Sequence, residues 1–324
     1  METIPAADRE RFTKQSHRLE AAKTSAEFFG HRPRRFGLLA FPGNVDELPP
    51  GAKCIHLIRH GEGHHNVWRD AEFKAGRRPL AKRSNIADVP PELFDPQLTD
   101  VGRAEATSAR GEASNLRPQL LVTSPLRRAV QTLLLAFEDA VVSGTPCVAH
   151  ELCREEVKGT PAGQPSIYDA HLPRDVLASE FPQVDFRKYV LPPEDGPEGP
   201  TLRGDPIWWH CTSPFGPCSA GESDVALSER AWRFVCWLMS RPEKEIAVAT
   251  HSIFLLALFH GALDPVDGQT WDAPQIFRTG ELRSVTILES AALPWPGNAI
   301  SRLGSELTGD GLASADGIPS CQVA

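Results

Sequence analysis

The segment "CIHLIRHGEGHHNV", Cys54–Val67, decides how the rest of the chain is read. Its first half is an apolar run, broken only by His56, of the kind that forms a strand buried on both faces of a parallel sheet. Its second half gathers Arg59, His60, His64 and His65 around Gly61 and Gly63. His56, His60 and His64 are four residues apart, a spacing that would align three metal ligands on a helix. The apolar run and the two glycines oppose a helix there. No HExxH occurs and no acidic cluster lies nearby, so a metal site is disfavoured. The segment is read as a strand that runs into a polar turn.

Further strands of the same type follow: "QLLVTS" (Gln119–Ser124), "EIAVATH" (Glu245–His251) and "LRSVTILE" (Leu282–Glu289), with "PCVAHEL" (Pro146–Leu152) as a fifth. Helical patterns lie between them. "LTDVGRAEATSARGEASNL" opens on Thr99 as N-cap, and "SPLRRAVQTLLLAFEDAVV" on Ser124 as cap with Pro125 in first helical position. "GESDVALSERAWRFVCWLMSRP" buries one face and stops at Pro242, and "SIFLLALFHGAL" is apolar nearly all round. Strands alternating with helices predict an α/β fold: a three-layer sandwich with a central, mainly parallel sheet flanked by helices. Residues 1–50 read as an N-terminal arm with one short helix, 51–290 as one catalytic domain, and 291–324 as a flexible tail. Residues 183–220 are rich in Pro and Gly and carry Trp208 and Trp209, which reads as an insertion or lid over the site.

Composition narrows the partners. A net charge of −8 over 324 residues disfavours nucleic acid, which is bound by neutralising phosphates. The longest apolar stretch, Ile253–Phe259, is far short of a membrane span, so no membrane partner is expected. The polar first residues lack the apolar core of a secretory signal. Seven scattered cysteines without a CxxC pair suit reduced thiols, and the expected compartment is the cytoplasm or the nucleus.

Three strands end in groups suited to an anion. They are Arg59-His60-Gly61, then Arg127 and Arg128 just inside the helix after Ser124, and Thr250-His251-Ser252. The carboxyl ends of parallel strands form the ligand crevice, and helix N-termini add N–H donors there. Arg59, Arg128 and His251 brought together would make a local cationic pocket inside an acidic protein.

In order, "LIRHGEGHHN", "DPQLTDVGRAEA", "TSPLRRAVQT" and "IAVATHS" resemble the histidine phosphatase superfamily, the phosphoglycerate mutase-like enzymes, across roughly residues 53–290. "ELCRE", "VDF" and "KEIAVATHS" are similar to its eukaryotic branch. The resemblance implies hydrolysis of a small phosphorylated substrate through a phosphohistidine on His60, without metal or cofactor. Arg59, Arg128, His251 and Asn66 would bind the phosphoryl group, with Arg128 preferred to its neighbour Arg127. The acid would come from "HELCREEVKG", where Glu151, Glu155 and Glu156 compete and Glu155 fits the pattern best. His64, His65 and Glu222 would be substrate contacts, and His56 part of the scaffold. Ile253 departs from the family, which carries a glycine just after the second histidine. Phosphoglycerate mutase chemistry and a non-catalytic binding module are the alternatives.

Overall fold

The computed structural model describes residues 6–23, 34–76, 90–157, 167–190, 222–266 and 275–289. Its strands are β1 (Phe36–Ala40), β2 (Lys53–Arg59), β3 (Leu120–Thr123), β4 (Cys147–His150), β5 (Asp185–Tyr189), β6 (Glu245–Thr250), β7 (Leu263–Pro265) and β8 (Leu282–Glu289). They form one eight-stranded sheet in the order β5-β4-β3-β6-β2-β8-β1-β7. The run from β5 to β2 is parallel throughout. β8 runs antiparallel to both β2 and β1. The central strands alternate between two apolar layers, which explains why they read as unbroken apolar runs. Ile55, Leu57, Val122, Ile246 and Val248 belong to one layer; Ile58, Leu121, Ala247 and Ala249 belong to the other.

Helices cover both faces. The first layer packs against α1 (Ala6–Lys23), α7 (Asp224–Ser240) and α8 (Ser252–Leu256), the last continuing as a π-helical turn over Ala257–Ala262. The second packs against α3 (Asp100–Ala113), α4 (Arg127–Ala136) and α6 (Arg174–Glu180). Two further α-helices, α2 (His64–Lys74) and α5 (Glu138–Val142), complete the described set. Among the described residues no helix is long and apolar enough to cross a membrane.

Three features differ from the sequence reading. The arm expected over 1–50 contains an 18-residue helix, α1, whose Phe12 and Leu19 enter the core, and a strand, β1, that joins the sheet. Arg18 and Lys23 pin α1 to Asp224 and Asp264 at 2.9 and 3.0 Å. The insertion expected over 183–220 begins with an edge strand, β5, whose mostly exposed side chains disguise it as a polar loop. Helix α4 starts at Arg127 with Leu126 as its N-cap, because the parallel register carries on through Ser124, whose N–H donates to the Ala249 carbonyl. Trp208, Trp209 and the tail over 291–324 lie outside the described residues.

Register places the site. Arg59 pairs with Thr250, and Thr123 with Ala249, so the carboxyl ends of β2, β6 and β3 stand side by side. The turn after β2 lies against α3 without room for a side chain. A Cβ on Gly61 would meet the Gly102 carbonyl oxygen at 2.3 Å, and one on Gly102 would meet that of Glu62 at 2.0 Å. Thr99 caps α3, as expected, accepting from Gly102 N–H at 3.0 Å, and its own N–H donates to the Glu62 carbonyl at 2.9 Å. Gly102→Ala is expected to lower the unfolding free energy by about 1–3 kcal/mol, the usual cost of overpacking, in urea titrations followed by tryptophan fluorescence.

Candidate active site

β2 delivers Arg59 and His60 to the crevice, β3 delivers Ser124, and β6 delivers His251. The His60 N–H donates to the Thr250 carbonyl at 2.9 Å, extending the β2–β6 ladder by one residue. Its ring Nδ1 lies 2.7 Å from the Gly61 carbonyl. A carbonyl only accepts, so Nδ1 carries the proton and Nε2 keeps its lone pair. The His251 ring sits 5.0 Å from that of His60, and His65 at 5.6 Å. His251 Nε2 is held 2.7 Å from the Ser124 hydroxyl. Sequence reasoning treated Ser124 only as a helix cap and missed this role.

The adjacent arginines part ways. Arg127 turns outward, its Nε and Nη2 donating to Glu180 at 3.1 and 3.0 Å. Arg128 is 1% exposed and turns inward. Its Nη1 donates to the Tyr168 carbonyl at 2.6 Å and its Nη2 to Asp169 at 3.0 Å. Arg59 donates Nη1 to the Phe277 carbonyl at 2.7 Å. Thr132 links helix to turn, accepting from Gly61 N–H at 3.0 Å and donating to the Arg128 carbonyl at 2.7 Å.

Four buried polar atoms in this cluster have no protein partner: Arg59 Nε, Arg128 Nε, His65 Nδ1 and His251 Nδ1. Buried polar groups are paired almost everywhere in proteins, so their concentration at one point marks a place for a ligand rich in acceptors. Burial, reinforced by the Arg128 charge, holds His60, His65 and His251 well below the ordinary histidine value. Burial lowers Arg59 to about 10, against the pull of Glu155, so it stays cationic at neutral pH. The cluster therefore offers two cations and three neutral imidazoles.

The other expected residues are placed as follows. Asn66 is buried and accepts from Gly63 N–H at 2.9 Å, closing the start of α2. His65 stacks on Tyr168 at 5.5 Å, whereas His64 is exposed on the same helix. His56 lies in the core, its ring between Ser284 at 2.8 Å and Glu245 at 3.0 Å. Glu155 sits at the start of α8, its carboxylate accepting from Phe254 N–H at 3.1 Å, Ser252 Oγ at 3.3 Å and Ile253 N–H at 3.4 Å. Glu151 is held by His171 at 3.0 Å and Arg154 at 3.4 Å. Glu222 commits both oxygens to Arg230, each at 2.7 Å, which fastens residues 152–157 rather than leaving a carboxylate for substrate. Among the described residues no group of three or more His, Cys, Asp and Glu side chains could hold a metal ion.

A cleft of about 920 Å³ adjoins the cluster, walled by Arg59, Asn66, Arg69, Ser252, Phe277 and Thr279. α1 contributes Arg11 and Phe12 to it, so the N-terminal helix forms part of its rim.

Known proteins resemble the chain that carries this arginine–histidine cluster as follows. The sequence model of the histidine phosphatase superfamily (branch 1) matches residues 55–165. Phosphoglycerate mutase-like protein 1 of Arabidopsis thaliana is 27% identical over 278 residues, covering 74% of this chain and 83% of its own. Phosphoglycerate mutase-like protein 2 of the same plant is 26% identical over 319 residues, covering 81% and 82%. Similar solved structures include a mycobacterial glucosyl-3-phosphoglycerate phosphatase (20% identity, 64% of this chain and 77% of that one, TM-score 0.35). Another is the α-ribazole phosphatase of Shigella flexneri (20% identity, 62% and 75%, TM-score 0.35). Over residues 55–165 the chain is similar to the histidine phosphatase superfamily.

The neutral imidazoles carry a stability signature. A histidine neutral in the fold but protonated in the unfolded chain below about pH 6.5 makes the unfolded state bind more protons, so stability falls on acidification. Buried Asp95, raised to about 6 by desolvation, acts in the opposite sense, since its folded form holds a proton that the unfolded chain has released. Comparing variants that share Asp95 removes its contribution. In unfolding titrations between pH 7 and 5, His251→Gln is expected to lose less stability on acidification than the wild type, by up to about 1.4 kcal/mol per pH unit.

Proposed function

We propose that the protein is a metal-independent phosphatase that hydrolyses phosphomonoesters through a phosphohistidine on His60. The observation that carries this reading is the lone pair on His60 Nε2, fixed by the Gly61 hydrogen bond, beside partnerless buried nitrogens of Arg59, Arg128 and His251. Phosphoryl transfer needs little beyond an aligned nucleophile and fixed positive groups around the equatorial oxygens. His60 Nε2 attacks phosphorus, the bond to the ester oxygen breaks, and the departing alkoxide takes a proton from Glu155, which enters this step as the carboxylic acid and leaves it as the carboxylate. Water then attacks the phosphohistidine, Glu155 takes its proton, and inorganic phosphate leaves as the N–P bond breaks. His251 becomes a better donor once a phosphoryl dianion enters, because a nearby negative charge reverses the influence of Arg128 on its ring. Asn66 and His65 line the pocket.

Glu155 is the preferred acid because it borders both His251, through α8, and Arg59, whose charge it supports. To donate a proton it exchanges one of its helix N–H contacts for the ester oxygen. Glu151 is already engaged with Arg154 and His171.

His60→Ala is expected to lower turnover of 4-nitrophenyl phosphate by at least about 10³-fold, as loss of a nucleophile does, and to abolish an acid-labile phosphoenzyme in rapid-quench labelling. EDTA leaves the wild-type rate unchanged; inhibition reversed by zinc would favour a metallohydrolase. Glu155→Gln is expected to cost about 10²–10⁴-fold with alkyl phosphates and far less with 4-nitrophenyl phosphate, whose leaving group needs no proton. Isomerisation of a phosphoglycerate faster than phosphate release would instead support mutase chemistry. Binding of phosphate without turnover of any phosphomonoester would support a binding module.

A further inference from the structure

One short turn grips the cradle from behind without belonging to the reaction above. Ile167–Asp169 is a single 3₁₀ turn. Its Tyr168 carbonyl takes Arg128 Nη1 at 2.6 Å, and Asp169 Oδ1 takes Nη2 at 3.0 Å, with the ion pair only 1% and 3% exposed. The Asp169 carbonyl accepts from Arg154 Nη2 at 2.7 Å. The Tyr168 ring stacks on His65, which in turn lies against His60. Just beyond the turn, the Leu172 N–H donates to Asp95 at 2.9 Å. The other Asp95 oxygen accepts from the Arg127 N–H at the start of α4, also at 2.9 Å. The turn is thus tied both to the guanidinium of Arg128 and to the helix that carries it.

A long arginine side chain has many rotamers, and its fork is useful only when its plane is set. Two acceptors on Nη1 and Nη2 set that plane and leave the partnerless Nε as a donor for a ligand. We propose that Asp169 is a positioning residue for phosphoryl binding that acts through Arg128. This rests on reading the pocket as a phosphoryl site. The competing physical role for Asp169 is charge balance alone. Charge balance predicts that removing its negative charge tightens anion binding, whereas positioning predicts that moving its oxygen weakens it.

Asp169→Asn keeps an acceptor oxygen in place and removes the charge; Asp169→Glu keeps the charge and displaces the oxygen by one methylene. Inorganic phosphate binding to the full chain would be measured by calorimetry, beside kcat/KM for 4-nitrophenyl phosphate. The expected result is phosphate affinity within about fivefold of wild type for Asp169→Asn and a loss of at least about tenfold for Asp169→Glu, since small misplacements at a site are costly. In an Arg128→Ala background, Asp169→Glu is expected to change affinity by less than about twofold, because a residue acting only through its partner has nothing further to lose. Tighter binding by Asp169→Asn, unchanged binding by Asp169→Glu, or losses that multiply in the double variant would overturn the proposal. Wild-type protein that binds phosphate but turns over no ester would remove the phosphatase reading while the binding arms still decide the role of Asp169. Wild-type protein that binds no phosphate would overturn both.

Discussion

Arg128 carries its charge almost wholly out of water, beside three imidazoles and with one carboxylate for a partner. An unpaired guanidinium at that depth would cost several kcal/mol, so the surrounding structure is obliged to hold it. Asp169, the Tyr168 carbonyl and the helix start at Asp95 are the means. The same charge has a second consequence. It adds to burial in keeping His60, His65 and His251 unprotonated, so the buried cation also preserves a lone pair on each of these rings. The positive charge of the cluster and the neutrality of its imidazoles are thus two effects of one buried cation.

The sheet brings these groups together by register alone. Because β2, β6 and β3 are parallel neighbours in matched register, the residues following Arg59, Thr123 and Thr250 fall on one edge without any special loop. Each of these strands then turns into a helix, α2, α4 or α8, and the crevice is lined by strand ends and first helical turns. The Gly61–Gly102 contact holds the α2 turn down. Without that close approach the His60 ring and the Gly61 carbonyl that fixes its proton would both be free to shift.

Much of this was legible in the chain. The five long apolar runs became strands because burial on both faces demands unbroken apolar sequence, and Thr99 marked the helix start that the turn leans on. What was not legible depended on partners distant in sequence. β5 and β7 are short edge strands with too little apolar surface to announce themselves, and β8 gives no sign of its reversed direction, since apolar content does not encode polarity. Asp169, Tyr168 and His171 carry no spacing that links them to Arg128 or Glu151; only the fold makes them neighbours. Ser124 was noticed, but for a cap that the continuing β3–β6 ladder moves two residues on to Leu126.

The opening cluster of histidines illustrates why residue type alone decides little. His56 and His60 sit four residues apart on one strand and its exit. His56 is buried in the middle of the strand, where Ser284 and Glu245 occupy both ring nitrogens, so it has nothing left to offer a ligand. His60 lies one step past the carboxyl end, where a single backbone carbonyl takes one nitrogen and leaves the other facing the crevice. His64 and His65 are adjacent on α2, yet the helical turn between neighbours sends one to solvent and the other against Tyr168. The difference between His56 and His60 thus lies in how many ring nitrogens the fold leaves unspent: none on His56, one on His60.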